Sequence, residues 1–227
     1  MNAMTANLPS PASESGIRAR PQEPSLVSHV RPAVTMLLLL TLLTGIVYPF
    51  LMLGLAQALV PWQAIGSIVE AGGKPAGSSL IGQSFTGDRY FHGRPSATTG
   101  TDPNDASKSI PQPYNASNSM GSNLGPIAQA LGDRMRADAS TLRAQSGAAV
   151  LPADAVTASA SGLDPDISPA FALLQVPRVA KARGLSEEAV RRLLQGNIEP
   201  PLLGFLGEPH VNVLRLNVAL DAAAPAP

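Results

Sequence analysis

No charged residue occurs between Arg31 and Glu70, and most of that interval is aliphatic. The core of it, AVTMLLLLTLLTGIVYPFLMLGLAQAL at residues 33–59, has only Thr35, Thr41, Thr44 and Gln57 as strongly hydrogen-bonding side chains. A helix rising about 1.5 Å per residue crosses a ~30 Å hydrocarbon layer in about 20 residues, so this run is long enough to span with some tilt. In lipid each backbone amide must be satisfied within the segment, which a helix achieves and a lone strand does not. A single membrane-spanning helix over residues 33–59 is therefore expected. Pro49 removes one helical donor and biases Tyr48 away from helical angles, which predicts a kink in the outer third. The competing reading is a cleaved signal peptide, with Ala56-Gln57-Ala58 as an A-x-A site; signal cores, however, are about 7–15 residues long, shorter than this run.

The charges flanking the run give it a direction. Arg18, Arg20 and Arg31 precede it and the nearest basic residue after it is Lys74, so the positive-inside bias keeps the N-terminus cytoplasmic and everything after the helix outside. Tyr48 and Trp62 then belong at the outer headgroup level, where amphipathic rings are enriched. The chain beyond the helix fits one domain of ordinary size. Its acidic and basic residues, sixteen of each over the whole chain, form no run of either sign, so no nucleic-acid footprint is visible. Cysteine is absent, which excludes disulfides and thiolate metal sites. With 20 Gly, 22 Pro and 4% aromatics, long loops around a modest core are expected.

Residues 1–30, with Pro9, Pro11, Pro21 and Pro24 among Ser, Ala and Glu, read as a disordered cytoplasmic leader. Residues 66–118 are rich in Gly, Ser, Pro, Thr and Asn; residues 79–85 and 90–93 are the only short strands expected there. A helix is predicted from Asn123, with Pro126 in its first turn, Ile127, Leu131, Met135 and Leu142 on one face, and an end near Gly147. A second starts at Ser168-Pro169, faces Phe171, Leu174 and Val179 inward, is kinked or split by Pro177, and closes at Gly184. A third is capped by Ser186, carries Glu187 and Glu188 in its first turn and Arg191 and Arg192 later, and stops at Gly196, with Leu185 and Val190 as a staple. The alternation of Leu214, Leu216, Val218 and Leu220 with Arg215, Asn217 and Ala219 predicts a strand, with a bulge or strand end at Val213-Leu214. Residues 222–227 form a frayed tail. The expected fold is α/β or α+β: one N-terminal transmembrane helix, then a single small extracytoplasmic domain over residues 62–221 with about three helices and a few short strands.

Motifs that carry chemistry are sparse. His29, His92 and His210 stand apart, so no metal site is expected. Gly72-Gly73-Lys74 is followed by Pro75 rather than Ser or Thr, which ends the phosphate-loop reading, and neither S-x-x-K nor G-x-S-x-G is present. Asp88, His92 and Ser84 or Ser96 could form a hydrolase triad, but triads are recognised by geometry and not by proximity in the chain. The preferred reading of Tyr90-Phe91-His92-Gly93-Arg94-Pro95 is a rigid docking loop or buried aromatic anchor. Asp102, Asn104 and Asp105 lack the glycine and closing glutamate of a calcium loop, so a solvated loop is expected. In residues 156–165, backbone amides near Ser159, Ser161 and Gly162 can be read as an anion nest at a helix N-terminus, or as a tight turn.

Several stretches together resemble the KdpC family, the C subunit of potassium-transporting P-type ATPases: GSSLIGQSF (77–85), YFHGRPSAT (90–98), YNAS (114–117), GSNL (121–124), VTASASGLDPDIS (156–168), PRVAKARGLS (177–186) and GEPHVNVLRLNVAL (207–220). With Arg31-Pro32 and Tyr48-Pro49 the likeness covers nearly all of residues 31–221. The leader before Arg31 departs from it. The resemblance implies a non-catalytic, single-pass subunit of a bacterial inner-membrane pump that carries potassium. Its implied partners are the channel-like KdpA, the ATP-hydrolysing KdpB and the small KdpF, besides membrane lipid. It also implies a catalytic chaperone that raises the ATP affinity of the hydrolysing subunit, holding no cofactor tightly and meeting ATP in a transient ternary complex. Ser159, Ser161 and Gly162 are then the nucleotide candidates, and Tyr90, Phe91, His92 and Arg94 the partner-docking candidates.

Overall fold

The computed structural model describes residues 26–223; of the expected leader over residues 1–30 and tail over residues 222–227, residues 1–25 and 224–227 lie outside the described residues, while residues 26–30 and 222–223 are helical rather than irregular. The chain divides into two units, Met1–Leu55 and Ala56–Pro227.

The first unit belongs to one continuous helical stretch of 34 residues, Leu26–Leu59, that runs on into the start of the second. It consists of α1 (Leu26–Leu42), a π turn at Leu43–Val47 and α2 (Tyr48–Leu59). At about 1.5 Å per residue it is about 50 Å long. None of its residues is buried, and from residue 33 onward its surface is apolar all round, as a helix solvated by lipid requires. At Pro49, where a kink is expected, the helix carries a π turn just before the proline, in which the Tyr48 N–H donates to the Leu43 carbonyl five residues back. A wide turn is a common relief for a proline ring that cannot join the helical ladder. The Thr44 hydroxyl donates to the Leu40 carbonyl at 2.6 Å, so this side chain is satisfied within the helix. Helical residues begin at Leu26, seven before the uninterrupted apolar run.

The second unit opens with a single turn, α3 (Pro61–Ala64), and two hairpins. β1 (Ile68–Ala71) pairs antiparallel with β2 (Lys74–Ser78) through Gly72-Gly73, both at positive φ. β3 (Thr99–Asp102) pairs with β4 (Asp105–Pro111), and the Asp102 carboxylate accepts from the Asn104 N–H at 2.8 Å to shape the turn. These four strands replace the two expected in this part of the chain. Residues 79–85 and 90–93 are irregular, because their main-chain groups are engaged by turns and side chains rather than by a neighbouring strand. The Asp102, Asn104 and Asp105 group is a hairpin turn.

The helical part comprises α4 (Gln129–Ser146), a 3₁₀ turn (Ala153–Ala155), α5 (Pro169–Arg183), α6 (Glu187–Gln195) and α7 (Val213–Ala223). β5 (Asp166–Ile167), β6 (Ile198–Glu199) and β7 (His210–Asn212) form a small antiparallel sheet with β7 central. α4 begins six residues later than Asn123, since Asn123 and Tyr114 both sit at positive φ and residues 121–128 turn; Ile127, expected on the inner face, is fully exposed. α5 and α6 begin and end where their caps predict. The Ser168 and Ser186 hydroxyls accept from Phe171 N–H and Ala189 N–H, and Gly184 closes α5 in the left-handed conformation. Pro177 does not split α5, because both it and Leu173, whose carbonyl loses its helical donor, lie on the exposed face.

The expected C-terminal strand is a helix. Val213, Leu216, Asn217 and Leu220 are buried at intervals of three and four, and the strand ends at Asn212. Leu216 and Leu220, four apart, fit both periods; the buried asparagine and half-exposed Val218 decide it. The core joins Phe91, Phe171, Val176, Val179, Val190, Leu194, Val211, Leu216 and Leu220 across α5, α6, β7 and α7. Leu216→Ala in the fully buried helix face is expected to cost about 2–5 kcal/mol of folding free energy. Val218→Ala costs clearly less, whereas a strand would make the two losses comparable. Urea unfolding of the full chain in mild detergent, followed by far-UV circular dichroism, measures both.

Candidate functional site

α5 turns one face into the core: Phe171, Ala172, Gln175, Val176, Val179 and Ala180 are all buried. Gln175 is the one polar side chain among them, and Asn217 is its counterpart on α7. A buried carboxamide without partners costs several kcal/mol, so both must bond to something. They bond to consecutive residues of the 87–92 segment. Asn217 accepts from the Phe91 N–H at 2.9 Å and donates to the Phe91 carbonyl at 2.9 Å. Gln175 accepts from the His92 N–H at 2.8 Å and donates to the His92 carbonyl at 3.0 Å. A side-chain amide carries the same donor and acceptor pair as a peptide group, so each does for one residue what an adjacent strand would do.

Two arginines of α5 hold the four carbonyls before these. Arg178 donates to the carbonyls of Asp88 at 2.8 Å, Tyr90 at 3.0 Å and Gly87 at 3.5 Å, and to Gln175 Oε1 at 2.8 Å. Arg183, its side chain fully buried, donates to the Arg89 carbonyl at 2.7 Å, pairs with Asp221 at 2.6 Å and lies 5.0 Å from the centre of the Tyr90 ring. Every carbonyl from Gly87 to His92 thus ends on a side chain of α5 or α7. Phe91 is wholly buried at the centre of this clasp, so it serves as an aromatic anchor and offers no surface to a partner.

Of the hydrolase alternative, Asp88, His92 and Ser96 do not assemble into a triad. His92 Nε2 lies 3.0 Å from the Gly87 carbonyl and 3.3 Å from Arg178 Nη1. The Asp88 carboxylate faces Arg178 at 3.9 Å, and Ser96 Oγ donates to the Gly162 carbonyl at 2.7 Å. A nucleophile must sit within hydrogen-bond reach of its base, and here His92 and Asp88 are both turned to Arg178 while the serine is engaged elsewhere. Among the described residues no His, Asp or Glu cluster is suited to a metal ion. Burial lowers the pKa of His92, with the nearby Arg178 charge adding to the effect, so the ring is neutral at pH 7.

A second cluster lies just beyond the clasp. Arg94 pairs with Asp164 at 2.7 Å and reaches Thr157, while its carbonyl accepts from the Tyr114 hydroxyl at 2.7 Å. The Tyr114 ring fits over Gly93, where a Cβ would stand 2.1 Å from the phenol oxygen, so residue 93 must be glycine. Burial, reinforced by the Asp164 charge, pushes the Tyr114 phenol above its ordinary range.

Ser159, Ser161 and Gly162 lie on the adjoining loop. The Ser159 hydroxyl accepts from Gly162 N–H at 2.9 Å and the Ser161 hydroxyl from Leu163 N–H at 3.1 Å. The two amides that an anion nest would use are therefore already occupied. The loop also lies ahead of β5 rather than at a helix N-terminus, so the tight-turn reading describes it better. Gly162 is at φ +66°, and a Cβ there would come within 2.5 Å of Thr98 and 2.7 Å of the Met120 carbonyl.

Beside His92 and Arg94 a cleft of about 370 Å³ is walled by Pro95, Leu142, Phe171, Leu174 and Pro177. Its charged lining is Arg94, Asp138 and Arg178, of which Arg94 pairs with Asp164 and Arg178 is committed to the clasp, and the neutral His92 ring lies beside them. Sequence reasoning picked out residues 90–94 correctly as a constrained loop but missed Gln175, Arg178, Arg183 and Asn217, which constrain it. The signal for Gln175 was a polar side chain four residues from both Phe171 and Val179 on an inward helix face. Asn217 was hidden by reading its segment with a period of two.

The chain is similar to proteins of known name along most of its length. A family model described as "KdpC: K+-transporting ATPase, c chain" matches residues 30–222. A "Potassium-transporting ATPase KdpC subunit" of Rhodopseudomonas palustris is 61% identical over 200 residues, covering 88% of this chain and 100% of the relative. Relatives with the same name from Methylobacterium nodulans and Bradyrhizobium diazoefficiens are 59% and 57% identical, each over 88% of this chain and 99% of their own length.

Asn217→Leu leaves the main-chain donor and acceptor of Phe91 buried without partners, and is expected to cost about 1–3 kcal/mol for each group so stranded. Amide hydrogen exchange at Phe91 should accelerate to match. The neutral His92 predicts a pH dependence with a definite sign. Its folded pKa lies below the unfolded value of about 6.5, so the unfolded chain binds more protons and stability falls as pH drops below that value. Urea midpoints at about pH 7.5 and about pH 5.5 measure the loss, and His92→Asn should remove this part of the dependence.

Proposed function

Because the chain belongs to the KdpC family of K+-transporting ATPase subunits, we propose that it is the anchored accessory subunit of a potassium-uptake pump, with its folded domain outside the cytoplasm. The observation that carries this is the 34-residue helix Leu26–Leu59, which has no buried residue and holds the uncharged apolar run of residues 33–59. Such a helix is stable only where lipid or other membrane helices cover it. The basic residues that precede it, against none before Lys74 after it, direct the C-terminal domain outward. KdpA, KdpB and KdpF are the partners we assign, with the helix packed in the membrane part of the complex and the domain over the outer face of the potassium-conducting subunit.

In this arrangement ATP and the α/β domain lie on opposite sides of the membrane. We therefore assign any rise in the ATP affinity of the hydrolysing subunit to transmission through the assembled complex. The rigid clasp favours that role, since a domain whose surface loops are tied to its core helices can bear on a partner without first becoming ordered. The alternative, a direct nucleotide contact at Ser159, Ser161 and Gly162, has in its favour the serine hydroxyls at the loop surface. Its two loop amides are spent on those same hydroxyls.

A Ser119→Cys variant introduces the chain's sole thiol at an exposed position, and an impermeant maleimide should label it in cells with an intact inner membrane. Labelling only after permeabilisation would overturn the outward topology. The Ser161→Ala pump should show an unchanged ATP concentration for half-maximal hydrolysis; a rise would place nucleotide on this loop. Gly162→Ala is unsuited to that measurement because the added Cβ would collide with Thr98 and Met120.

A further inference from the structure

Between β6 and β7 the chain makes a finger, PPLLGFLG over residues 200–207, closed by an antiparallel bridge between Leu202 and Leu206. Four large apolar side chains stand on it, and all point away from the core: Leu202 is 69%, Leu203 76%, Phe205 74% and Leu206 50% exposed. Such density on one exposed turn marks a contact surface rather than scattered surface leucines. Two features show what kind of medium it suits.

The first is the backbone. The N–H groups of Leu202, Gly204, Phe205 and Leu206 donate to carbonyls within the finger at 3.0, 2.9, 3.4 and 2.9 Å. Pro200 and Pro201 have no N–H to satisfy. A segment entering an apolar medium must meet its hydrogen bonds internally, and this one largely does. The second is the tip itself. Leu203 at φ +55° precedes Gly204 at φ +81°, so a leucine occupies a left-handed position that favours Gly, Asn or Asp. An apolar side chain is thus held at the apex at some conformational cost. The finger has no Lys or Arg and is flanked by Glu199 and Glu208, so it lacks the basic residues that draw a loop to anionic headgroups.

The root of the finger is tied to the chain leaving the apolar helix. Glu199, directly before Pro200, pairs with Arg215 at 2.7 Å, and the Arg215 guanidinium lies 5.8 Å from the centre of the Trp62 ring. Trp62 follows the last residue of α2, Leu59, by three positions and donates its indole N–H to the Ile68 carbonyl at 2.9 Å. We infer that the Leu202–Leu206 finger dips into the acyl boundary of the outer leaflet, a shallow membrane contact in addition to that of the anchor helix. Its binding is apolar and indifferent to anionic lipid. The inference rests on the helix being a membrane anchor.

The chain has no cysteine, so Leu203→Cys and Phe205→Cys can each carry one nitroxide label in the full-length protein reconstituted in phosphatidylcholine nanodiscs. Power-saturation electron paramagnetic resonance then compares collisions with oxygen and with a water-soluble nickel chelate, using an exposed Ser107→Cys label as the aqueous reference. The expected result is loss of nickel accessibility and gain of oxygen accessibility at both finger positions, unchanged when phosphatidylglycerol is added. Finger labels as open to nickel as the reference would overturn the inference. So would labels that become protected only when the partner subunits are present, which would assign the finger to a protein surface. Failure of the anchor reading has a different signature, namely a chain that does not incorporate into nanodiscs.

Discussion

The C-terminal domain depends on the pairing of one irregular main-chain segment with side chains from two helices. Residues 87–92 have no neighbouring strand, yet their carbonyls all find donors from Gln175, Arg178 and Arg183 on α5 and Asn217 on α7. The arrangement is strong in one direction and vulnerable in the other. Formed completely, it fixes Phe91 in the core and sets the loop immediately after it. With one partner removed, it leaves a buried amide or guanidinium uncompensated, which costs more than the bond itself contributes. A segment built this way is rigid without being regular secondary structure.

That rigidity extends into the Gly- and Ser-rich half of the domain. His92 leads to Gly93 under the Tyr114 ring, Tyr114 holds the Arg94 carbonyl, and Arg94 holds Asp164 in the serine loop. The serines then close their own turn, so the loop's polarity is largely spent on itself. The composition that suggests a flexible domain is instead used for close approach and for local capping. Such a design suits the accessory subunit that the KdpC family supplies to K+-transporting ATPases.

Legibility from sequence varied with the kind of signal. The termini of α5 and α6 were readable because a serine cap, first-turn acids and a closing glycine act within a few residues. The two hairpins were not, since Lys74-Pro75-Ala76-Gly77-Ser78 and Asp105-Ala106-Ser107-Lys108 have little β propensity; their pairing is held by turns and by contacts across the domain. The 213–220 segment was misread because leucines at 214, 216 and 220 satisfy an alternating pattern as well as a helical one. Asn217 looked like an outward polar residue in the first and is an inward clasp in the second. Of the constrained loop, Phe91 and His92 were visible as an unusual aromatic cluster, while the residues that hold them lie more than eighty positions away.

The sequence by itself determined the long apolar helix, the mixed α/β composition of the domain beyond it, the caps of α5 and α6, and the family. Each of these is written in local periodicity, in charge placement or in collinear motifs that no distant contact can alter. Only the tertiary structure decided which way Phe91 faces, that the catalytic-looking Asp88 and His92 turn to Arg178 while Ser96 bonds to Gly162, that the last apolar stretch coils rather than extends, and that the Leu202–Leu206 turn stands out from the core. Those outcomes depend on which buried polar group finds which partner across long separations in the chain, and a pairing of that kind exists only once the helices have packed.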